Sequence, residues 1–169
     1  GVMPDMICVA KGLTNGAVPC GAVLVADHIY HSFMQGADNA MELFHGYTYS
    51  AHPLACAAGI ATIRTYLDDG LFERAASLES YWQEALHSLR NRRNVRDIRN
   101  LGLVGAVELE TRDGLVGKRA YQGLVKCFEA GLLIRYTGET MAFSPPLIIE
   151  KNQIDQLVDI AGTVIDSID

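Results

Sequence analysis

The sequence contains no uninterrupted apolar run that approaches the ~20 residues a membrane-spanning helix requires. Its N-terminus has neither a basic start nor a cleavable apolar segment, so nothing indicates secretion. The cysteines are scattered and form no close pair with metal-ligand spacing; they are Cys8, Cys20, Cys56 and Cys127. They are typical of small buried side chains in a reducing compartment. We therefore expect a cytoplasmic protein with no membrane segment and no metal site.

The sequence also has no block of one charge, although its formal net charge is -6. The basic cluster from Arg90 to Arg93 is short and follows a predicted helix, where cations suit the negative end of the helix dipole. No aromatic stacking pattern accompanies the cluster, which argues against nucleic-acid binding. The hydrophobic share of 49% and the charged share of 20% are typical of a soluble globular protein.

The chain does not begin with methionine, and it reaches a fully apolar segment, Met6 to Ala10, almost at once. A strand of this kind suits the middle of a parallel sheet, where both of its faces are covered. We therefore expect this strand to be buried and the chain to be the C-terminal part of a larger protein.

The first part of the chain alternates strand and turn signals before a long helix. Met6 to Ala10 and Cys20 to Val25 are predicted strands, and the turn-rich connector between them permits a hairpin. Asp27 to Phe33 is predicted to be a short helix capped by Asp27. Residues 36–50 lack a clean period and are predicted to form an ordered functional loop. Pro53 suits the first turn of an apolar helix, which we expect to be buried between layers.

The second part has the pattern of helices around short strands. Leu71 to Arg92 is predicted to be an amphipathic helix with Trp82 on its apolar stripe. The remaining predicted elements are strands at 95–98 and 103–109, a helix at 119–130 closed by Gly131, a hairpin of 132–136 with 141–143, and a helix at 151–168. The composition shift near Asp69 and Gly70 is the best candidate for a domain boundary, giving domains 1–69 and 70–169 of an α/β protein.

Lys11 is the first candidate for chemistry, because it ends an apolar strand and precedes a glycine-rich turn. Lysine is costly to bury, so a lysine in this position is either a solvated strand end or a poised amine. A neutral lysine amine forms a Schiff base with a carbonyl group, and a pyridoxal cofactor requires this chemistry.

Three stretches taken together resemble the class III pyridoxal-phosphate-dependent aminotransferases of fold type I. They are residues 4–16, residues 45–53, and residues 134–139 together with 143–146. The third stretch is similar to the subgroup that uses omega-amino acids or amines with pyruvate. Two positions depart mildly from the family pattern: Cys20, where other apolar residues are common, and Ala51, where glycine is usual.

The resemblance implies that residues 1–69 end the cofactor-binding large domain and that residues 70–169 form the smaller α+β C-terminal domain. It implies a transaminase that uses pyridoxal 5'-phosphate to move an amino group between an omega-amino acid or amine and a keto acid such as pyruvate. It also implies a homodimer or larger assembly with its site at the subunit interface. The alternatives are an acetylornithine- or 4-aminobutyrate-type transaminase and a non-catalytic oligomerisation fragment.

The resemblance assigns roles to four residues. Lys11 matches the lysine that holds the cofactor as a Schiff base and later moves a proton. Thr48 matches a threonine that reaches the cofactor phosphate of the neighbouring subunit, and Tyr47 lies beside it. Arg135 matches an arginine that binds the substrate carboxylate, since a guanidinium group suits bidentate carboxylate binding.

Purely structural roles for the same residues remain open. Thr48 is also of the type that stabilises its own turn, and Arg135 is also placed to pair with Glu139 across the predicted hairpin. For His45 and His52 we favour a structural role over proton transfer.

The family's phosphate-binding Gly-Ser region, the aromatic residue stacked on the cofactor ring and the acid paired with the pyridine nitrogen would all lie upstream of Gly1. We therefore expect this polypeptide alone not to be a competent enzyme. The missing N-terminal part would come from another chain, from a cleaved precursor or from a segment outside this sequence.

Overall fold

The computed structural model describes residues 1–37, 39, 43 and 46–169, and it divides them into two compact units, Gly1–Asp69 and Gly70–Asp169. The predicted boundary near Asp69 coincides with this division. The assignment of the two units to a cofactor-binding domain and a small domain stays a prediction.

The first unit contains a hairpin and two helices. Strands β1 (Met6–Ala10) and β2 (Gly21–Val25) pair antiparallel, with Met6 opposite Val25 and Ala10 opposite Gly21. Helix α1 covers Asp27–Phe33 and helix α2 covers Pro53–Asp68. Asp27 is the first residue of α1 rather than its cap, because the preceding Ala26 occupies that position and no side chain caps the helix. The predicted hairpin is therefore confirmed, and the predicted capping role of Asp27 is wrong.

The apolar elements of the first unit are not buried in this chain. Val9 is half-buried and the other residues of β1 and β2 are exposed, while α2 buries only Ala55 and Gly59. The expectation of a covered strand and a covered helix is thus wrong for the described residues. The physical reason is that β1 and β2 form a two-stranded sheet in the described part of the first unit, and a strand becomes buried through neighbouring strands and covering helices.

The second unit is a four-stranded antiparallel sheet with three helices. Its helices are α3 (Leu71–His87), α4 (Lys118–Glu129) and α5 (Lys151–Asp166), and its strands are β3 (Val95–Leu101), β4 (Val104–Leu109), β5 (Arg135–Thr137) and β6 (Thr140–Phe143). The sheet order is β3-β4-β6-β5. Helix α3 ends five residues earlier than predicted, because Ser88–Asn91 continue as a 3-10 turn.

One face of this sheet forms the core of the second unit. Side chains of β4 and β6 alternate, so that Val107, Leu109, Met141 and Phe143 are buried while their neighbours along each strand are half-buried or exposed. Trp82 of α3 is 0% exposed and meets the Phe143 ring edge-to-face, with ring centroids 6.5 Å apart. The alternation agrees with a sheet that has helices on one side.

Gly131 ends α4 as the sequence predicts. Its φ of 87° lies in the left-handed region, its amide donates to the Phe128 carbonyl, and the Leu132 amide donates to the Cys127 carbonyl. These two bonds form a Schellman motif, which turns the chain sharply out of the helix. The short segment that follows leads directly into Arg135.

Candidate functional site

Lys11 directly follows β1 and begins a 3-10 turn, Lys11–Leu13. Its φ of 50° lies in the left-handed region, which a residue with a side chain adopts at a cost of about 1–2 kcal/mol. The preceding Ala10 is still fully extended, so the chain changes direction at the lysine itself. The side chain of Lys11 is exposed. The site thus presents an accessible amine on a strained turn, and such strain is concentrated at functional sites.

Two hydroxyl groups hold this turn. Thr14 is 1% exposed, and its Oγ1 donates to the carbonyl of Val18 at 2.5 Å. Tyr66, near the end of α2, donates its phenolic O–H to the carbonyl of Gly12 at 2.7 Å. The sequence reasoning assigned no role to either residue. A threonine inside a glycine-rich turn favours a hydrogen bond from its hydroxyl to the local backbone, so the role of Thr14 could have been predicted from the sequence. Tyr66 lies 54 residues beyond Gly12, and no local pattern connects the two residues.

Thr48 lies in a turn, residues 48–51, just before α2. The amide of Ser50 donates to the carbonyl of Tyr47 at 3.0 Å, and the φ of Ala51 is 57°. Thr48 is exposed, and its hydroxyl has no hydrogen-bond partner among the residues the structure describes. The turn is thus closed by its backbone, so the structure gives no support to the alternative that the Thr48 side chain stabilises it.

Tyr47 is 71% exposed and neighbours Thr48 in the chain. His52 is exposed, and its backbone carbonyl accepts the Cys56 amide at 3.0 Å at the start of α2, so the structural role of its side chain stays a prediction. His45 lies outside the described residues, so its predicted structural role stays a prediction.

Helix α2 relates the two turns of the first unit. The Lys11 turn packs against α2 at Gly59, where an added Cβ would lie 3.6 Å from the Leu13 carbonyl oxygen, and at Tyr66. At 1.5 Å per residue these positions are about 9 and about 20 Å along the helix from Pro53. Thr48 precedes the helix. The Lys11 turn therefore contacts the middle and the end of α2, whereas Thr48 lies before its first residue.

Arg135 is the first residue of β5 and lies opposite Ala142 of β6. It is exposed, and its guanidinium group forms no hydrogen bond or ion pair with any residue in the described part of the chain. Glu139, at the tip of the hairpin, instead accepts the Gly117 amide on Oε1 at 2.5 Å. The alternative pairing of Arg135 with Glu139 is therefore not formed.

The second carboxylate oxygen of Glu139 is buried and has no partner among the described residues. The carboxylate thus connects Gly117 to the hairpin tip and forms no ion pair with the guanidinium of Arg135 among the described residues. The structure places Lys11, Tyr47 and Thr48 in the first unit and Arg135 in the second.

Two other kinds of feature are absent from the described residues. No three His, Cys, Asp or Glu side chains converge as metal ligands there. None of the helices described is both long and apolar enough to cross a membrane.

Comparisons with known proteins agree with the motifs. The family model of the class III aminotransferases matches residues 1–165. An omega-aminotransferase of Caulobacter vibrioides is 59% identical over 169 residues, which are 100% of this chain and 38% of that protein. A beta-alanine--pyruvate aminotransferase of Pseudomonas aeruginosa is 42% identical over 99% of this chain and 38% of its own length.

A solved structure gives the same fold. The crystal structure of adenosylmethionine-8-amino-7-oxononanoate aminotransferase from Methanocaldococcus jannaschii has a TM-score of 0.89 and 30% identity, over 99% of this chain and 40% of that one. The chain spans well under half the length of the relatives it matches. The predicted transaminase fold of mixed α/β class is confirmed, and the chain belongs to the class III aminotransferases.

Proposed function

We propose that this chain supplies part of the active site of a transaminase that moves an amino group between an omega-amino acid or amine and a keto acid such as pyruvate. The observation that carries the proposal is Lys11, an accessible amine on a strained turn at the end of a strand, inside a sequence of this family. The two relatives above are named for omega-amino and beta-alanine--pyruvate transfer. Those names favour this substrate class over acetylornithine or 4-aminobutyrate.

The residues present fit pyridoxal phosphate, the cofactor of this family. The lysine amine suits the aldehyde of the cofactor, and the exposed hydroxyl of Thr48 suits a phosphate oxygen, since hydroxyl groups commonly donate to phosphates. When bound, the cofactor supplies an electron sink for the bond broken at the substrate carbon. Tyr47, exposed beside Thr48, would line the same cavity.

Lys11 would hold the cofactor through Nζ and, once released, would move the proton between the substrate carbon and the cofactor. A single amine serves both tasks only if it stays within reach of the reacting atoms. The held turn supports this assignment, because its carbonyls accept hydrogen bonds from Tyr66 and from the amides of residues 14–16. Lys11 is therefore the residue to which we assign the chemistry.

Arg135 would bind the substrate carboxylate. Its guanidinium group has five N–H donors in a planar fork that matches a carboxylate, and no described residue occupies them. An enzyme that also accepts amines without a carboxylate needs an arginine that can turn away. An exposed position at the start of a strand meets this need.

We further propose a cytoplasmic homodimer, or larger assembly, in which Thr48 of one subunit serves the cofactor held by Lys11 of the other. Two features support a shared site: both residues are exposed in this chain, and the Lys11 turn packs against α2 at Gly59 and Tyr66, whereas Thr48 lies before the first residue of that helix. The remaining site residues would come from the N-terminal part of the enzyme. The four free cysteines suit a reducing compartment.

Borohydride trapping on the complete enzyme tests the proposal. Reduction in the presence of pyridoxal phosphate should leave a covalent pyridoxyl adduct on Lys11, identified by peptide mass mapping. The variant K11A should carry no adduct, whereas K118A, which removes an exposed lysine of α4, should label like the wild type. A colourless wild-type enzyme without an adduct, or an adduct on another lysine, would contradict the proposal and favour an oligomerisation module.

A further inference from the structure

Besides its own Thr14, the turn that carries Lys11 is held by a side chain of another element, Tyr66. The Tyr66 hydroxyl donates to the Gly12 carbonyl at 2.7 Å. The backbone amides that approach the same carbonyl or that of Lys11 do so at longer range: Asn15 at 3.4 Å, and Thr14 and Gly16 at 3.3 Å each. N–H···O bonds usually measure 2.7–3.2 Å, so these amide contacts are weak. Among the described contacts to the carbonyls of Lys11 and Gly12, the Tyr66 hydrogen bond is therefore the shortest.

The conformation of Lys11 makes this contact consequential. Its φ of 50° is disfavoured for a residue that has a Cβ, so the turn relaxes unless its surroundings hold it. Rotation about φ at Lys11 changes the direction of the side chain relative to β1. A restraint on the next carbonyl therefore also restrains where the Nζ of Lys11 lies.

The local packing lets the tyrosine reach its acceptor. A Cβ added to Gly12 would lie 3.4 Å from the Tyr66 oxygen, so the hydroxyl passes directly beside this glycine. The small Gly59, two turns earlier on α2, brings the helix close to Leu13. Thr14 closes the opposite end of the turn through its bond to Val18. Helix α2 and Thr14 thus hold the turn from two sides.

We propose that Tyr66 is a positioning residue for Lys11: through the Gly12 carbonyl it fixes the left-handed turn that aims the lysine amine. The inference rests on the proposed function, because it gives Lys11 the task of holding the cofactor and moving a proton. Tyr66 itself is not a catalytic residue, since it acts through the backbone of the turn.

The first test uses the complete enzyme without cofactor and measures amide hydrogen exchange. In Y66F, the amides of residues 14–17 should exchange about three- to tenfold faster, as expected for the loss of one hydrogen bond. The matched control is Y81F, which removes a hydroxyl bond of similar length, 2.6 Å to Asp155 in the second unit. It should leave these amides unchanged. Equal exchange in Y66F and the wild type would overturn the proposal.

The second test loads the cofactor. Covalent attachment of pyridoxal phosphate to Lys11, followed by absorbance, should slow about three- to tenfold in Y66F, and kcat should fall while the KM for the amino donor stays the same. If the Tyr66 ring acts only by packing, Y66F should attach the cofactor at the wild-type rate and Y66L should attach it more slowly. That pattern, or a KM effect without a kcat effect, would overturn the positioning role.

The two proposals fail in different ways. If wild-type Lys11 takes up no cofactor, the proposed function fails whatever Y66F does. If wild-type Lys11 is labelled and Y66F, Y81F and the wild type attach the cofactor at the same rate, only the role of Tyr66 is overturned. Faster exchange throughout the first unit of Y66F, rather than at residues 14–17, would also overturn it, because it would indicate a general loss of stability.

Discussion

The two compact units of the chain differ in how many of their apolar side chains each of them buries. In the second unit, side chains from three helices and one sheet face form a continuous buried core around Trp82. In the first unit, Ala55 is the only buried apolar side chain among the described residues, and both strands are exposed except at Val9. The first unit also contains three of the four non-glycine residues described with positive φ: Lys11, Asn15 and Ala51. Strain and accessibility thus occur together in the unit that carries the candidate lysine.

This difference suggests a division of work. A folded core can hold a specificity group such as Arg135 on a short strand, whereas a reactive amine requires a turn that the surrounding structure constrains at some energetic cost. The proposals assign chemistry to the first unit and carboxylate recognition to the second.

The largest expected effect separates those two tasks in the complete enzyme. K11A should abolish both half-reactions, with an amine and with a keto acid, because both need the lysine amine. R135A should raise the KM for pyruvate strongly, while the half-reaction with an amine that lacks a carboxylate changes little. R135K should rescue poorly despite its equal charge, since an ammonium group cannot form the planar bidentate contact. Stopped-flow absorbance of each half-reaction provides the measurement.

The matched control for Arg135 is R93A, which removes another exposed arginine of the second unit that has no described side-chain partner. It should behave like the wild type in both half-reactions. Equal losses for R135A in the two half-reactions would mean that Arg135 only supports its hairpin. The proposal that Arg135 binds the substrate carboxylate would then be abandoned.

The next effect tests the core directly in the 169-residue chain. W82A should lower the free energy of unfolding by about 3–5 kcal/mol, because it removes a fully buried ring from a packed cluster. L54A, which truncates a 68% exposed side chain of α2, should change it by less than about 0.5 kcal/mol. Urea unfolding followed by far-UV circular dichroism measures both. Similar losses of unfolding free energy in the two variants would show that the first unit has a packed core despite its exposed side chains.

The sequence predicted the second unit better than the first, and the reason is physical. Periodicity reports which face of an element is apolar, and in the second unit the apolar faces of α3, β4 and β6 meet each other within the chain. In the first unit the same signal predicted buried elements, but the described residues provide nothing to cover them. Apolar pattern therefore predicted the strand and the helix correctly and their burial wrongly.

The candidate site shows the same limit. Lys11, Tyr47, Thr48 and Arg135 were found because they belong to local motifs, and their roles stay predictions. Tyr66 was missed because a hydrogen bond across 54 residues leaves no local pattern. Local sequence also could not decide whether Arg135 pairs with Glu139, since the partner that Glu139 does have, the Gly117 amide, lies 22 residues away in the chain.

A smaller effect uses the buried thiol of the second unit. Burial raises the pKa of Cys127 to about 11. The unfolded thiol, with a pKa near 8.5, loses its proton first, so the contribution of Cys127 to stability is fully present below about pH 8.5 and is lost as the pH rises toward 11. The drop in Tm between pH 8 and pH 10.5 should therefore be smaller in C127A than in the wild type. An equal drop would show that the thiol does not titrate differently on folding.

The smallest effect concerns the strain next to the Thr48 turn. Ala51 has a φ of 57°, which glycine adopts without steric cost. A51G should raise the free energy of unfolding of the complete enzyme by about 0.5–1 kcal/mol, since the relieved strain exceeds the added chain entropy. The control A57G places the same substitution inside α2, where it should cost about 0.5–1 kcal/mol instead. Denaturant unfolding of both variants compares the signs directly. If both substitutions destabilise equally, Ala51 is not strained, and the turn before α2 differs from the Lys11 turn in that respect.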